Sequence, residues 1–249
     1  MNTHNALFHN FQRAIEARET SQIMIETSSH SARRTIPDMK VLLSAWRHRL
    51  PNSYDRVAEW QDIFLWRFQI FDAIANHFSW TNDPSIVASL HDRPFSCISL
   101  GRTARKQKLE ELASYSLTSL TDCAMDVEYA FLKLREQVVS YQHSSEEKLK
   151  GGLDLLNATN LSFFDSRQKA EIYRLKAYFF NARNEKPKAN QAYCHSVQIC
   201  PNYARAWIDW GMLCAALTDD ARKQAGDKVG SKELTKKTAL YLVQAMGCL

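Results

Sequence analysis

RLPNSYDRVAEWQDIFLWRFQIF, residues 49–71, is the stretch whose reading decides the fold. Pro51 closes the helix before it, Ser53 offers a hydroxyl to cap the next, and the periodicity predicts a helix running to about Phe78. Along that helix Val57, Trp60, Phe64, Phe68 and Phe71 recur at helical spacing as one apolar stripe. Ile63, Trp66, Ile70 and Ile74 make a second stripe beside it, leaving Glu59, Asp62, Gln69, Asp72 and Asn76 as a narrow polar strip. A helix apolar over so much of its circumference packs neighbours on two sides. Stacked helical hairpins need such a helix, so the expected class is all-α, a solenoid of TPR-like or HEAT-like hairpins.

The flanking sequence repeats this grammar. Amphipathic helices are expected at Leu7 to Arg18 and at Pro37 to Arg49, the second burying Met39, Leu42, Leu43 and Trp46. NDPSIVASLHDRPFSCIS, residues 82–99, carries two prolines and weak periodicity, and is read as a loop with at most one helical turn, holding the internal break at 81–99. Helices resume at Leu100 to Gln107, Lys108 to Leu120 and Val127 to His143, the last with Ala130, Phe131, Leu134 and Val138 facing inward. No alternating strand pattern stands out.

A 34-residue register emerges in the carboxy-terminal part. With Pro201 as the helix-ending proline of a tetratricopeptide-type repeat, Tyr173 takes the first aromatic position, Ala177 the small crossing position and Phe180 the next aromatic. Ala189 and Tyr193 fall on the second helix, and a shift of 34 residues sets Trp207 under Tyr173 and Gly211 under Ala177. Small residues let antiparallel helices approach, aromatics fill the gaps between turns, and proline stops the second helix. TPR-like repeats are therefore expected over 170–249. After Leu217, TDDARKQAGDKVGSKELTKK reads as an inserted solvated loop before a helix burying Leu240, Val243 and Met246. That apolar end suggests a piece of a longer array.

Composition restricts the function classes. The 249 residues are 45% hydrophobic with only seven Gly and six Pro, so the chain is expected to be an ordered, soluble and helix-rich protein without leader or membrane span. Cys97, Cys123, Cys194, Cys200, Cys214 and Cys248 show no CxxC spacing, which predicts free thiols in a reducing compartment. The net charge of +5 is accounted for by solvated helix faces.

Catalytic signatures are missing. His4, His9, His30, His48, His77, His91, His143 and His195 are scattered, and no metalloprotease, nucleophile-elbow or phosphate-loop pattern occurs. Gly151 and Gly152 lack the strand, Lys and hydroxyl of a phosphate loop and are read as a helix boundary. Cys194 and His195 point about 100 degrees apart on a helix, too divergent for a thiol and its base. The basic run GRTARKQK, with Arg102, Arg105, Lys106 and Lys108, has no interleaved aromatics, which argues against direct nucleic-acid binding. Glu171, Arg174 and Tyr178 fall on the concave side of the repeat, either as a peptide contact or as a plain solvated face. No catalytic, cofactor-binding or metal-binding residue is assigned.

Motifs across residues 36–249 add a resemblance. Trp46, Arg47, Arg49, Leu50 and Pro51, then Asp55, Trp60, Asp62, Ile63, Phe64, Trp66 and Arg67, resemble the signature of the FAT region of the transformation/transcription domain-associated proteins, pseudokinase members of the phosphatidylinositol-3-kinase-related family. GRTARKQ at 101–107, FLKLREQV at 131–138, the run at 152–179, ANQAYCHSVQI and RAWIDWG follow in order. Residues 1–35, read as an amino-terminal helix and linker, match poorly, and Asp55-Arg56 stands where an acidic pair is expected. The resemblance implies a nuclear, non-catalytic scaffold without cofactor, in histone acetyltransferase coactivator complexes of the SAGA and NuA type. Its implied partners are the protein subunits of those complexes, transcription activators, and a kinase-like domain of the same or a companion chain. Two alternatives stay open: the FAT region of an active related kinase, and a free-standing peptide-binding repeat adaptor. Truncation of Trp66 to Ala is expected to cost roughly 3–5 kcal/mol.

Overall fold

The computed structural model describes residues 2–28, 41–77, 92–120, 125–142 and 145–225. Among them every element is a helix: α1 (Asn2–Ser28), α2 (41–48), α3 (Val57–His77), α4 (Arg93–Lys106), α5 (Glu110–Thr118), α6 (Val127–Ser140), α7 (Glu146–Ala158), α8 (Ser166–Ala182), α9 (Lys186–Ile199) and α10 (Ala204–Ala225). The fold is all-α, of the helical solenoid class, and its contacts divide into compact units at Met1–Tyr129 and Ala130–Leu249. The break expected at 81–99 falls inside the first unit, largely outside the described residues.

In the first unit α3 has the two packed flanks that its stripes demand. On one, Ile70 and Phe71 meet Leu43 and Trp46 of α2, the Trp46 and Phe71 rings lying 5.9 Å apart. On the other, Phe64 and Phe68 share a groove with Cys97 and Leu100 of α4 and Leu112 and Tyr115 of α5. Trp66 is only half-buried, at the margin of the α2 cluster, whereas Trp46 is 1% exposed at its centre. The heavy truncation penalty therefore belongs to Trp46. Pro37, Met39 and Phe78 lie outside the described residues, as does the side chain of Ile74.

In the first unit four boundaries differ from expectation. Ser53 sits in a turn and does not cap α3, which starts at Val57; Asp55 closes that turn by accepting from the Asn52 N–H at 2.6 Å. The proline-containing stretch read as loop is helical from Arg93, because Pro94 occupies the first turn, where its missing N–H costs nothing. Lys108, expected in the next helix, has φ 63° and delays the start of α5 to Glu110. The fourth is α1, which extends far past both ends of the expected Leu7 to Arg18. Its buried face is polar: His9, Gln12, Glu16 and Thr20 point inward while Leu7, Phe8 and Phe11 are about two-thirds exposed. A search for apolar periodicity is blind to such a stripe.

The second unit is built on close approaches. Phe131, Leu134 and Val138 of α6 pack with Leu149, Leu153 and Leu156 of α7 and with Ile172, Leu175 and Phe179 of α8. Gly151 and Gly152 lie inside α7, not at a helix boundary. A Cβ on Gly152 would stand 2.8 Å from the Phe179 ring, whereas one on Gly151 would meet nothing within 4 Å. Gly152→Ala is therefore expected to lower the thermal midpoint, and Gly151→Ala to raise stability by about 0.5–1 kcal/mol through helix propensity. Equal midpoints for the two variants would refute that contact.

α8 starts on a capping box formed by Asp165 and Gln168. Ala170 and Ala177 of α8 and Ala189 of α9 are wholly buried, and the Ser196 hydroxyl donates to the Ala170 carbonyl at 2.6 Å, a distance that only small residues permit. Tyr173 packs on His195 with ring centroids 5.7 Å apart, and the Trp207 indole N–H donates to the Pro201 carbonyl at 2.7 Å. α10 continues through TDDARKQA, where a loop was expected. Buried Thr218 donates to the Cys214 carbonyl, and Asp220 pairs with Lys186 of α9, so the charges decorate a helix. The rest of the expected loop, from residue 226, and the helix of Leu240, Val243 and Met246 lie outside the described residues.

Candidate functional site

The polar groups of the first unit converge where α1, α2 and α3 meet. Arg67, with no exposed surface, donates from Nε and Nη2 to the Glu16 carboxylate at 3.2 and 2.7 Å, and from Nη2 to the Arg49 carbonyl at 3.1 Å. Gln12 donates to the same carbonyl at 2.7 Å and to Glu16 at 3.0 Å, and the Arg67 guanidinium lies 5.5 Å from the Trp46 ring. The Trp46 indole and Arg49 both donate to Glu19. Burial pushes the Glu19 carboxyl up, but those hydrogen bonds outweigh it and hold it below its ordinary value.

Neighbouring signature residues tie further joints. Arg47 donates to Asp92, immediately before α4, at 2.9 and 2.6 Å, and lies over the Phe95 ring at 5.1 Å. Burial drives the Asp92 carboxyl above its usual range against the pull of Arg47. Trp60 donates to the Asn52 carbonyl at 3.1 Å, and Gln107, last residue of GRTARKQ, donates to the Ser53 and Asp55 carbonyls at 3.2 and 2.7 Å. The signature thus joins helices at their ends.

The other residues singled out by sequence are placed as follows. Glu171 and Arg174 are not a free peptide contact: Arg174 is 5% exposed and donates to Tyr203 at 3.2 Å and to Asp209 at 2.7 Å. Glu171 accepts from the Tyr203 hydroxyl at 2.9 Å and pairs with Arg135 at 3.0 Å. Tyr178 is half-buried with its ring 5.7 Å from Phe179. In the basic run, Lys106 and Lys108 are exposed while Arg102 and Arg105 are half-buried. Gly101 in the same motif lets α4 pass Leu117 of α5 closely, a Cβ there standing 3.1 Å from the Leu117 side chain. Cys194 is packed against the α8–α10 core while exposed His195 lies on Tyr173, so the two do not form a thiol–base pair. Cys97, Cys194, Cys200 and Cys214 form no disulfide among the described residues; Cys123 and Cys248 lie outside them.

Buried phenols give the second unit an alkaline limit. Burial first, then the Asp209 carboxylate, pushes Tyr193 far above an ordinary tyrosine, and burial raises Tyr203 likewise. The unfolded chain binds fewer protons above its tyrosine pKa of about 10, so stability is intact below that pH and falls as pH rises past it. The denaturant midpoint, followed by circular dichroism, should fall with pH above about 10, less steeply for Tyr193→Phe. A slope identical in parent and variant would remove Tyr193 as its source.

Sequence reasoning missed Arg67 and Glu16 as a buried pair. The signs in sequence were Arg67's place in the signature and its position as a lone arginine between two apolar stripes. An open apolar groove of about 230 Å³ lies between α3, α4 and α5, where Leu65 and Tyr115 are exposed and the Arg93 guanidinium lies 5.6 Å from the Phe68 ring. Among the described residues no helix is long and apolar enough to cross a membrane. The arrangement's chemistry is that of holding helices in register.

Comparison with known proteins gives the family. The chain is 33% identical over 226 residues to the SAGA complex/NuA4 acetyltransferase complex subunit TRA1 of Saccharomyces cerevisiae, covering 84% of this chain and 6% of that protein. It is 30% identical over 220 residues to the mouse transformation/transcription domain-associated protein, covering 84% and 9%. With the human protein of that name the identity is 29% over 231 residues, covering 84% and 6%. The chain thus spans less than a tenth of the length of these curated relatives. The profile of the FAT domain matches residues 1–249, and the chain belongs to the FAT domain family.

Proposed function

We propose that this chain is a non-catalytic scaffold segment of a transcription-associated subunit of histone acetyltransferase coactivator complexes, acting in the nucleus through protein contacts. The observation that supports this is the use made of the family signature. Trp46, Arg47, Arg49, Trp60 and Arg67 are engaged with Glu19, Asp92, Asn52 and Glu16 inside the helical array, and present no reactive group to a substrate. The named complexes of the Saccharomyces relative supply the coactivator setting. Its partners are other subunits of such a complex, transcription activators, and a kinase-like domain in the same or a companion chain. A peptide-binding adaptor has less support, because Glu171 and Arg174 are already committed to Tyr203 and Asp209.

Affinity purification of the tagged endogenous protein from nuclear extract, with mass spectrometry and an acetyltransferase assay on the eluate, tests the proposal. Co-purifying acetyltransferase subunits and activity are expected. A protein recovered alone and without activity would discard the coactivator reading.

A further inference from the structure

Where α1 approaches the start of α3, three metal-binding side chains come together apart from the Arg67 network. His9 of α1, Asp55 of the turn and Glu59 of α3 place their ligand atoms within 4.8 Å of one another. Asp55 lies in the turn just before α3 and Glu59 in its first turn, and the fold brings both carboxylates to the His9 ring. His9 comes from 50 residues before Glu59 in the chain, its Nε2 3.1 Å from Glu59 Oε2.

Two observations separate this group from an ordinary surface ion pair. His9 is 9% exposed, with Nε2 turned to Glu59 at 3.1 Å, so the imidazole meets the carboxylates from inside the fold. Asp55 is held from the other side, its Oδ2 accepting from the Asn52 N–H at 2.6 Å, which aims the carboxylate and leaves Oδ1 for another ligand.

We propose that His9, Asp55 and Glu59 bind a borderline divalent cation of the zinc or manganese class, clamping α1 to α3. One imidazole with two carboxylates suits such an ion; soft copper(I) favours sulfur, and calcium or magnesium an all-oxygen set. Three protein ligands leave a coordination position for water. The clamp acts where it is needed, because α1 turns a polar face inward and leaves Leu7, Phe8 and Phe11 outside. A dication also relieves the repulsion between two carboxylates held this close.

The test titrates the chelator-stripped full chain with Zn2+ and Mn2+ by calorimetry and thermal unfolding, with Co2+ as an absorption probe. One equivalent is expected to bind and raise the midpoint, and the cobalt spectrum should lack a sulfur-to-metal band. Asp55→Asn and Glu59→Gln, with helicity retained, should each weaken binding roughly tenfold or more, as should His9→Gln. Absence of binding, unchanged affinity in the variants, or a sulfur-to-cobalt band tracing the metal to the cysteines would each overturn the proposal.

Discussion

Trp46→Ala is expected to destabilise the chain by about 3–5 kcal/mol, the cost of emptying a large, fully buried aromatic site. Three losses coincide there. Its ring packs on Phe71 at 5.9 Å, its indole N–H donates to Glu19 at 2.8 Å, and its π face receives Arg67 at 5.5 Å. Urea unfolding read by tryptophan fluorescence and circular dichroism measures the effect. Trp66→Ala in parallel should cost clearly less, since that ring is half-buried and its Nε1 makes no hydrogen bond. If Trp66 proved the costlier position, the assignment of Trp46 to the centre of the α2–α3 contact would be wrong.

The second large effect comes from the Arg67–Glu16 pair, where both side chains have no exposed surface. Arg67→Met strands the Glu16 carboxylate in the interior, and removing one partner of such a pair typically costs about 3–5 kcal/mol. Glu16→Leu alone should be comparably harmful, because it strands the guanidinium. The double variant is expected to recover much of the loss: apolar groups of similar volume often replace a buried pair at little cost. A double-mutant cycle measures this, and strictly additive single effects would show that the two residues do not act as a pair. Arg49 and Gln12 set the limit of recovery, since Arg67 also donates to the Arg49 carbonyl that Gln12 shares.

These expectations show which parts of the protein were legible in its sequence. The stripes of Val57, Trp60, Phe64 and Phe71 and of Ile63 and Ile70 alone determined that α3 is a buried helix with neighbours on both flanks. Hydrophobic burial is nearly additive along a helix, so a one-dimensional period carries it. The alanines at 177 and 189 announced a close helix crossing for a similar reason, as a small side chain is its only local requirement.

Tertiary structure decided what depends on partners far apart in the chain. Glu16 and Arg67 are 51 residues apart, and neither residue's burial is readable without the other. For the same reason the polar inner face of α1 leaves no apolar period in the sequence, and the period that is there marks only part of the helix. For Glu171 and Arg174 the sequence leaves a peptide contact or a plain solvated face open, and Tyr203 and Asp209, from beyond the next helix, occupy them instead. Sequence determined that the apolar stripes of α3 are buried, because water decides apolar burial residue by residue. Only the folded chain decided which charges are buried with them, because a charge enters the interior only when a distant counter-charge comes with it.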